Sequence, residues 1–360
     1  MKKYFILAAA AVIALAACTK SEINTPAQKE ISYNAVNAKN TVSKAIINTT
    51  TYATSDPSFG IWGLYQATNW SANHSNSVWV GSSASAATEI TYDLDAESTA
   101  NSNARRNASS VDYLPLTGSL VFMGYSPSTN VSSKAAISVV DNKATLTVTN
   151  FQTTTGGWVD DLMWSDAVEK TRNDTEYSIA PTYNGVPVVF HHALSQITVF
   201  AKTDKDYAAQ DYTFNITALS VTVDDNATLT VADDLTNDPT VTWTEPATDA
   251  TRTVLSSASA ALTTSYVKQG DSFLVIPQTL TAAQDIISIT YKVTHNGVES
   301  TATKTINLTA GDTVALTAFA KNTKYNLNLV FSMDEIKYSP EIVDWEATVN
   351  SEYEVPEDAS

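Results

Sequence analysis

A single cysteine, Cys18, stands among 360 residues, so no disulfide can form within the chain even in a compartment that permits one. Histidine numbers four, too few for a histidine-rich metal site. His191 and His192 are adjacent, so on a strand they point to opposite faces and cannot share an ion. Glycine, with 11 residues, is too sparse for Gly-rich linkers or repeats. Lys and Arg together number 21 against 38 Asp and Glu, a formal charge of −17. A surface of that sign repels phosphate backbones and anionic lipid heads, which argues against nucleic-acid binding. Beyond residue 17 no long apolar run occurs, so no transmembrane helix is expected. The Gly-x-Ser-x-Gly, His-Glu-x-x-His and phosphate-loop motifs are all missing. Asp224-Asp225-Asn226 and Asp233-Asp234 lack the spacing and glycine of an EF-hand, and acidic turns explain them more simply than a calcium loop. No metal, no cofactor and no enzymatic activity are expected.

What the chain does have begins at its first residues. Lys2 and Lys3 precede an uncharged run from Tyr4 to Ala17 that ends in Leu15-Ala16-Ala17-Cys18. The run is short for a membrane span and has the layout of a secretory signal. Its end matches the bacterial lipobox, in which small residues admit the peptidase and the cysteine thiol receives a diacylglycerol. Cys18 is therefore the expected lipid-attachment residue and mature N-terminus. Each buried CH2 adds about 0.8 kcal/mol, so two or three acyl chains anchor a protein firmly. The bland alternative is a plain cleaved signal with an incidental cysteine. The layout is that of a bacterial envelope lipoprotein.

From residue 49 onward the dominant period is two. Ala144–Thr149, Leu219–Val223, Thr228–Val231 and Tyr325–Phe331 alternate, rich in Thr and β-branched residues. Ile287–Val293 leads into His295-Asn296-Gly297 and alternation resumes at Thr303–Leu308, an Asn-Gly hairpin signal. Such residues suit a pleated, half-buried surface, as one sheet of a sandwich offers. Helical spacing is scarce, and Asp160–Lys170 is the best short candidate. The class is all-β, with antiparallel sandwiches. The division expected is 1–17 signal peptide, 18–48 tether or removable segment, 49–205 N-terminal domain, 206–345 C-terminal domain and 346–360 tail.

Several segments, in order, resemble the fimbrillin family of pilins and pilin-like surface lipoproteins of Gram-negative anaerobes. They are Phe59–Tyr65, Leu120–Pro127, Asp161–Trp164, the closely similar Phe190–Val199, Phe273–Gln278 and the close of the chain through Ile342-Val343-Asp344-Trp345. The resemblance implies two tandem transthyretin-like β-sandwiches. It also implies a pilus subunit or pilus-associated lipoprotein mediating adhesion, whose partners are other pilin subunits, the outer membrane through its lipid, and a host glycan or protein ligand. In assembling relatives a trypsin-like protease removes an N-terminal strand, and a neighbour's C-terminal strand fills the groove left behind.

Residues can be set against that scheme. The family's cut usually follows an arginine, yet none precedes Arg105. Lys44 is the best-placed basic residue and Lys39 the second; either is otherwise simply solvated. Arg105-Arg106 look like a loop tip open to nicking. Ala347, Val349, Ser351, Tyr353 and Val355 share one face of the tail and could serve as a donor strand; a frayed acidic tail is the alternative. Trp62, Trp70 and Trp79 with Tyr65 could form a sugar-stacking platform or simply fill the core. The alternative function is a monomeric glycan-binding outer-membrane lipoprotein.

Overall fold

The computed structural model describes residues 30–37, 58–91, 104–105, 111–129, 131–153, 161–172, 185–244, 249–282, 285–312 and 315–344. The alternation becomes strands almost everywhere: 23 are present, and a 3-10 turn at Ala208–Gln210 is the one helical element among the described residues. The all-β expectation holds.

The first sheet contains β1 (Tyr33–Asn37), β2 (Phe59–Gln66), β3 (Val78–Val80), β4 (Thr88–Ile90), β5 (Ala104–Arg105), β6 (Ser119–Ser126), β9 (Met163–Ser165), β10 (Val168–Thr171) and β11 (Val186–His192). Its main order is β3-β2-β6-β9-β11-β1-β5. A second sheet carries β15 (Thr240–Thr244), β14 (Asn226–Asp233), β8 (Lys143–Gln152) and β7 (Ala135–Val140), in that order. The two enclose a core that includes Trp62, Val121, Leu146 and Leu229. The third sheet is β17 (Val267–Val275), β12 (Ser195–Thr203), β22 (Thr323–Phe331) and β23 (Ile336–Asp344). The fourth is β16 (Asp249–Leu255), β13 (Tyr212–Asp224), β19 (Ile286–His295) and β20 (Val298–Asn307). Ile197, Val221, Ile289 and Leu327 meet between these two. A short pair, β18 (Gln278–Thr279) with β21 (Ala318–Phe319), completes the set.

The β19–β20 hairpin turns where expected. Asn296 and Gly297 take φ of 49° and 77°, the left-handed pair that a two-residue type I′ loop requires.

The strand pairing bears on three expectations. The sheets do not part at residues 205/206: β12 already lies in the third sheet, and β14–β15 return to the second, where Leu229 faces Val148 and Val231 faces Leu146 across the ladder. Alternation fixes which face of a strand is apolar, but not which sheet it completes. Residues 161–170 are not helical; Leu162, Met163 and Trp164 are buried and extended, β9 against β11 and β10 against β6. Within the segment expected as a tether or removable segment, residues 33–37 form β1 inside the first sheet.

The stretch Phe190–Ser195 is the passage from the first sheet to the third, and it is held on all sides. Ala193 donates its N–H to Leu162 O (2.8 Å) and accepts from Trp243 Nε1 (3.1 Å). Asn322 N–H donates to Leu194 O (2.9 Å), and Ser195 Oγ to Ala320 O (2.7 Å). Ala193 and Leu194 are fully buried, which accounts for small and apolar residues between the histidines and the next strand.

Candidate functional site

The first sheet has a second apolar face, and β1 closes it. Ile31, Tyr33 and Ala35 alternate into a separate core with Phe59, Phe122 and Phe190. Tyr33, 1% exposed, sets its ring edge-on to Phe59 (6.2 Å) and Phe122 (5.9 Å). Phe59 in turn meets Phe190 at 5.3 Å. These contacts join β1 and β11 to β2 and β6, so the sheet is rolled with its far end across its middle.

Both edges of β1 are occupied. On one side it runs parallel to β11, with Tyr33 opposite Val186 and Ala35 opposite Val188, and Val186 N–H donates to Ser32 O (2.7 Å). On the other side Tyr33 is opposite Arg105, Glu30 bridges to Tyr113, and Ile31 N–H donates to Asp112 O (2.9 Å). Arg105 is thus a strand residue beside β1 rather than part of a loop tip. Gly185 stands at the mouth with φ +74°, and a Cβ there would lie 2.6 Å from Ser32 O. Gly185→Ala is expected to cost at least about 1–2 kcal/mol from the left-handed backbone alone, and to loosen β1 further. Urea unfolding of the untrimmed chain measures this; an unchanged midpoint would remove Gly185 from the seat.

Where β2 begins, Ser58 and Ser128 both donate to Glu89 Oε1 (2.6 and 2.7 Å), and Ser128 N–H donates to Ser58 O (2.6 Å). The Ser58 bond, then that of Ser128, holds the Glu89 carboxyl below its ordinary 4.5, against a smaller upward push from burial. Burial, with the Glu89 charge second, pushes the Tyr125 phenol up to about 12. Because folding favours charged Glu89, its contribution is complete above pH 4.5 and fades as pH falls through the lowered folded value. The stability gap between wild type and Glu89→Gln should therefore shrink on acidification. Urea midpoints between about pH 6 and pH 3 test this, and a gap independent of pH would contradict it.

The two histidines at the end of β11 point to opposite faces, as strand parity requires. His191 stacks on Trp164 (4.4 Å between centroids) with its Nε2 3.0 Å from Asp166 Oδ2. His192 Nδ1 bonds Asp161 Oδ2. Burial raises the Asp161 carboxyl, opposed by its bond to His192 and by the charges of His192 and Lys324. Neither histidine is simply exposed, and each has an acid the sequence did not disclose. Among the described residues no group of three or more His, Cys, Asp or Glu could hold a metal, and no helix is long and apolar enough to cross a membrane.

Of the four aromatics considered for a sugar platform, Trp62 and Trp70 are core residues. Trp79 is 47% exposed, packs on Tyr65 at 5.4 Å and donates Nε1–H to Tyr113 O (2.8 Å). The platform thus reduces to a pair. Cys18, Lys39, Lys44 and the tail residues Val349, Ser351, Tyr353 and Val355 lie outside the described residues. The β1 seat itself was missed by sequence reasoning, although Ile31-x-Tyr33-x-Ala35 carried a short alternating signal.

A family model described as fimbrillin-like matches residues 65–345. No curated protein matches the chain. Among solved structures, a fimbrial protein from Bacteroides vulgatus overlays with a TM-score of 0.52 at 17% identity, covering 88% of this chain and 99% of that one. A Bacteroides uniformis protein proposed to act in cell adhesion gives 0.47 at 17% identity over 88% and 99% of the two chains. The fimbrial anchor protein Mfa2 from Porphyromonas gingivalis gives 0.32 at 11% over 88% and 98%. The first of these shows a shared fold; the other two overlays are too loose to argue from.

Proposed function

This chain belongs to the fimbrillin-like family, and from that premise we propose that it is a pilus subunit or pilus-associated surface lipoprotein that assembles by strand exchange and serves adhesion. The observation that carries the reading is β1: a short strand, apolar on its inner face, with a neighbour along each edge. Its covalent link to β2 runs through residues 38–57, and Lys44 falls within them. A cut there leaves β1 held by noncovalent contacts alone. Its departure exposes two strand edges and an aromatic-lined groove, which strand addition from another subunit satisfies.

In this reading Cys18 carries the lipid that holds the precursor to the outer membrane, and the partners are other pilin subunits and a host glycan or protein. Catalysis has no part in it. The exposed Trp79–Tyr65 pair favours one second reading, a monomeric glycan-binding lipoprotein. Treating the purified mature chain with a lysine-specific protease separates the two. Cleavage after Lys44 followed by SDS-resistant ladders supports assembly. A trimmed chain that stays monomeric while binding polysaccharide supports the alternative. The lipid is tested apart from this, because Cys18→Ala should release the protein from membranes.

A further inference from the structure

Arginine occurs only as Arg105, Arg106, Arg172 and Arg252, and the first of these lies against β1. The strand that carries it, β5, is two residues long and ends the first sheet. Its one ladder neighbour among the described residues is β1: Arg105 stands opposite Tyr33 and Ala104 opposite Asn34. The chain that follows leans on the same partner, since Asp112 O accepts from Ile31 N–H (2.9 Å) and Tyr113 bridges to Glu30. Contacts that do not depend on β1 lie to either side. Upstream, β4 ends at Ile90, buried and opposite Phe59. Downstream, Tyr113 O accepts from Trp79 Nε1–H (2.8 Å) and Leu114 is buried.

Resting on the strand-exchange reading above, we propose that Arg105 is a conditional cleavage site: a trypsin-like protease cuts after it only once β1 has left and its seat stands empty. A protease takes its substrate as a free, extended segment, which a strand already paired in a sheet does not offer. Cleavage of a folded chain therefore follows the population of its locally opened form. In the precursor, β5 opens only by parting from β1, which the buried Tyr33 ring holds in place. Departure of β1 removes that requirement. Hydrolysis then adds one water across the Arg105–Arg106 peptide bond, leaving a carboxylate on Arg105 and an amine on Arg106, and needs no other reactant.

The arrangement sorts subunits by the state of the seat. A precursor with β1 in place is protected by it. A trimmed subunit whose seat another strand has filled is protected again, because β5 regains a ladder neighbour. Only a subunit that has lost β1 and gained nothing in its place carries the exposed site. The two basic residues therefore differ in kind: Lys44 lies in the covalent link between β1 and β2 and is cut first, whereas Arg105 waits for β1 to leave.

The test uses the full chain with Cys18→Ala and Arg106→Gln, so that arginine cleavage in this segment can only follow Arg105. A lysine-specific protease trims it and the β1 fragment is washed away. An arginine-specific protease then acts on untrimmed and trimmed monomers, with fragments read by mass spectrometry. Cleavage after Arg105 should be at least about tenfold faster in the trimmed chain, whose β5 has lost its ladder bonds. Excess synthetic peptide of residues 30–37 should slow it again. Arg252, opposite Val221 in the fourth sheet, reports general unfolding and should stay intact in both. Should the fragment stay bound, full-length Tyr33→Ala, which loosens the seat, takes the place of the trimmed chain and should show the same selective increase. Equal rates after Arg105, or an increase matched at Arg252, would overturn the proposal. A trimmed monomer that is cut after Arg105 and never forms ladders upholds it while removing strand exchange, so the two readings fail separately.

Discussion

A chain ending at residue 345 should fold and reach the cell surface, yet form no SDS-resistant polymer. Folding should survive because β23 ends at Asp344 and the last core side chain among the described residues is Tyr338. Polymerisation should not, because the tail, with Val349, Ser351, Tyr353 and Val355 on one face, is the expected donor strand for the exchange. Seating an aliphatic or aromatic side chain in a pocket contributes about 1.5–3 kcal/mol. Tyr353 and Val355 together therefore supply about 3–6 kcal/mol, roughly two to four decades of affinity, before any ladder bond is counted. Gel electrophoresis without boiling reads the result. Undiminished ladders from the truncated chain would remove the tail from the mechanism.

Tyr33→Ala should destabilise the untrimmed precursor by about 3–5 kcal/mol, the range for emptying a large aromatic site in a core. The ring is fully buried and touches the aromatic side chains of two other strands, so collapse around the void requires β2 and β6 to shift together. Urea unfolding should show a lower midpoint at an unchanged slope. A loss below about 1 kcal/mol, the level of an ordinary surface change, would mean that β1 closes no groove.

The elements most legible in the sequence were those whose information is local. The β19–β20 hairpin was readable because Asn296-Gly297 sits between two alternating runs, and β8, β13, β14 and β22 because their alternation is long and uninterrupted. Partnership was not readable. Nothing in Thr228–Val231 says that, besides its sequence neighbour β15, it pairs with β8, some 80 residues back. Leu162-Met163-Trp164 is too short a run for periodicity to separate strand from helix. β1 was hidden by its polar flanks; three inward residues in a stretch rich in Asn, Lys and Thr look like a tether until the groove that receives them is seen. Strand parity separated His191 from His192 correctly, but their acids, Asp166 and Asp161, arrive from another strand's neighbourhood. The resemblance of scattered motifs pointed to the family that the match over residues 65–345 establishes.

The most direct test of strand exchange is the N-terminal sequence of subunits taken from polymers on the cell surface. Subunits that begin between residues 38 and 58, with Ala45 the expected first residue, would mean that β1 has left and another strand holds its place. Polymerised subunits that still carry residues 30–37, or an acylated Cys18, would contradict exchange at this groove.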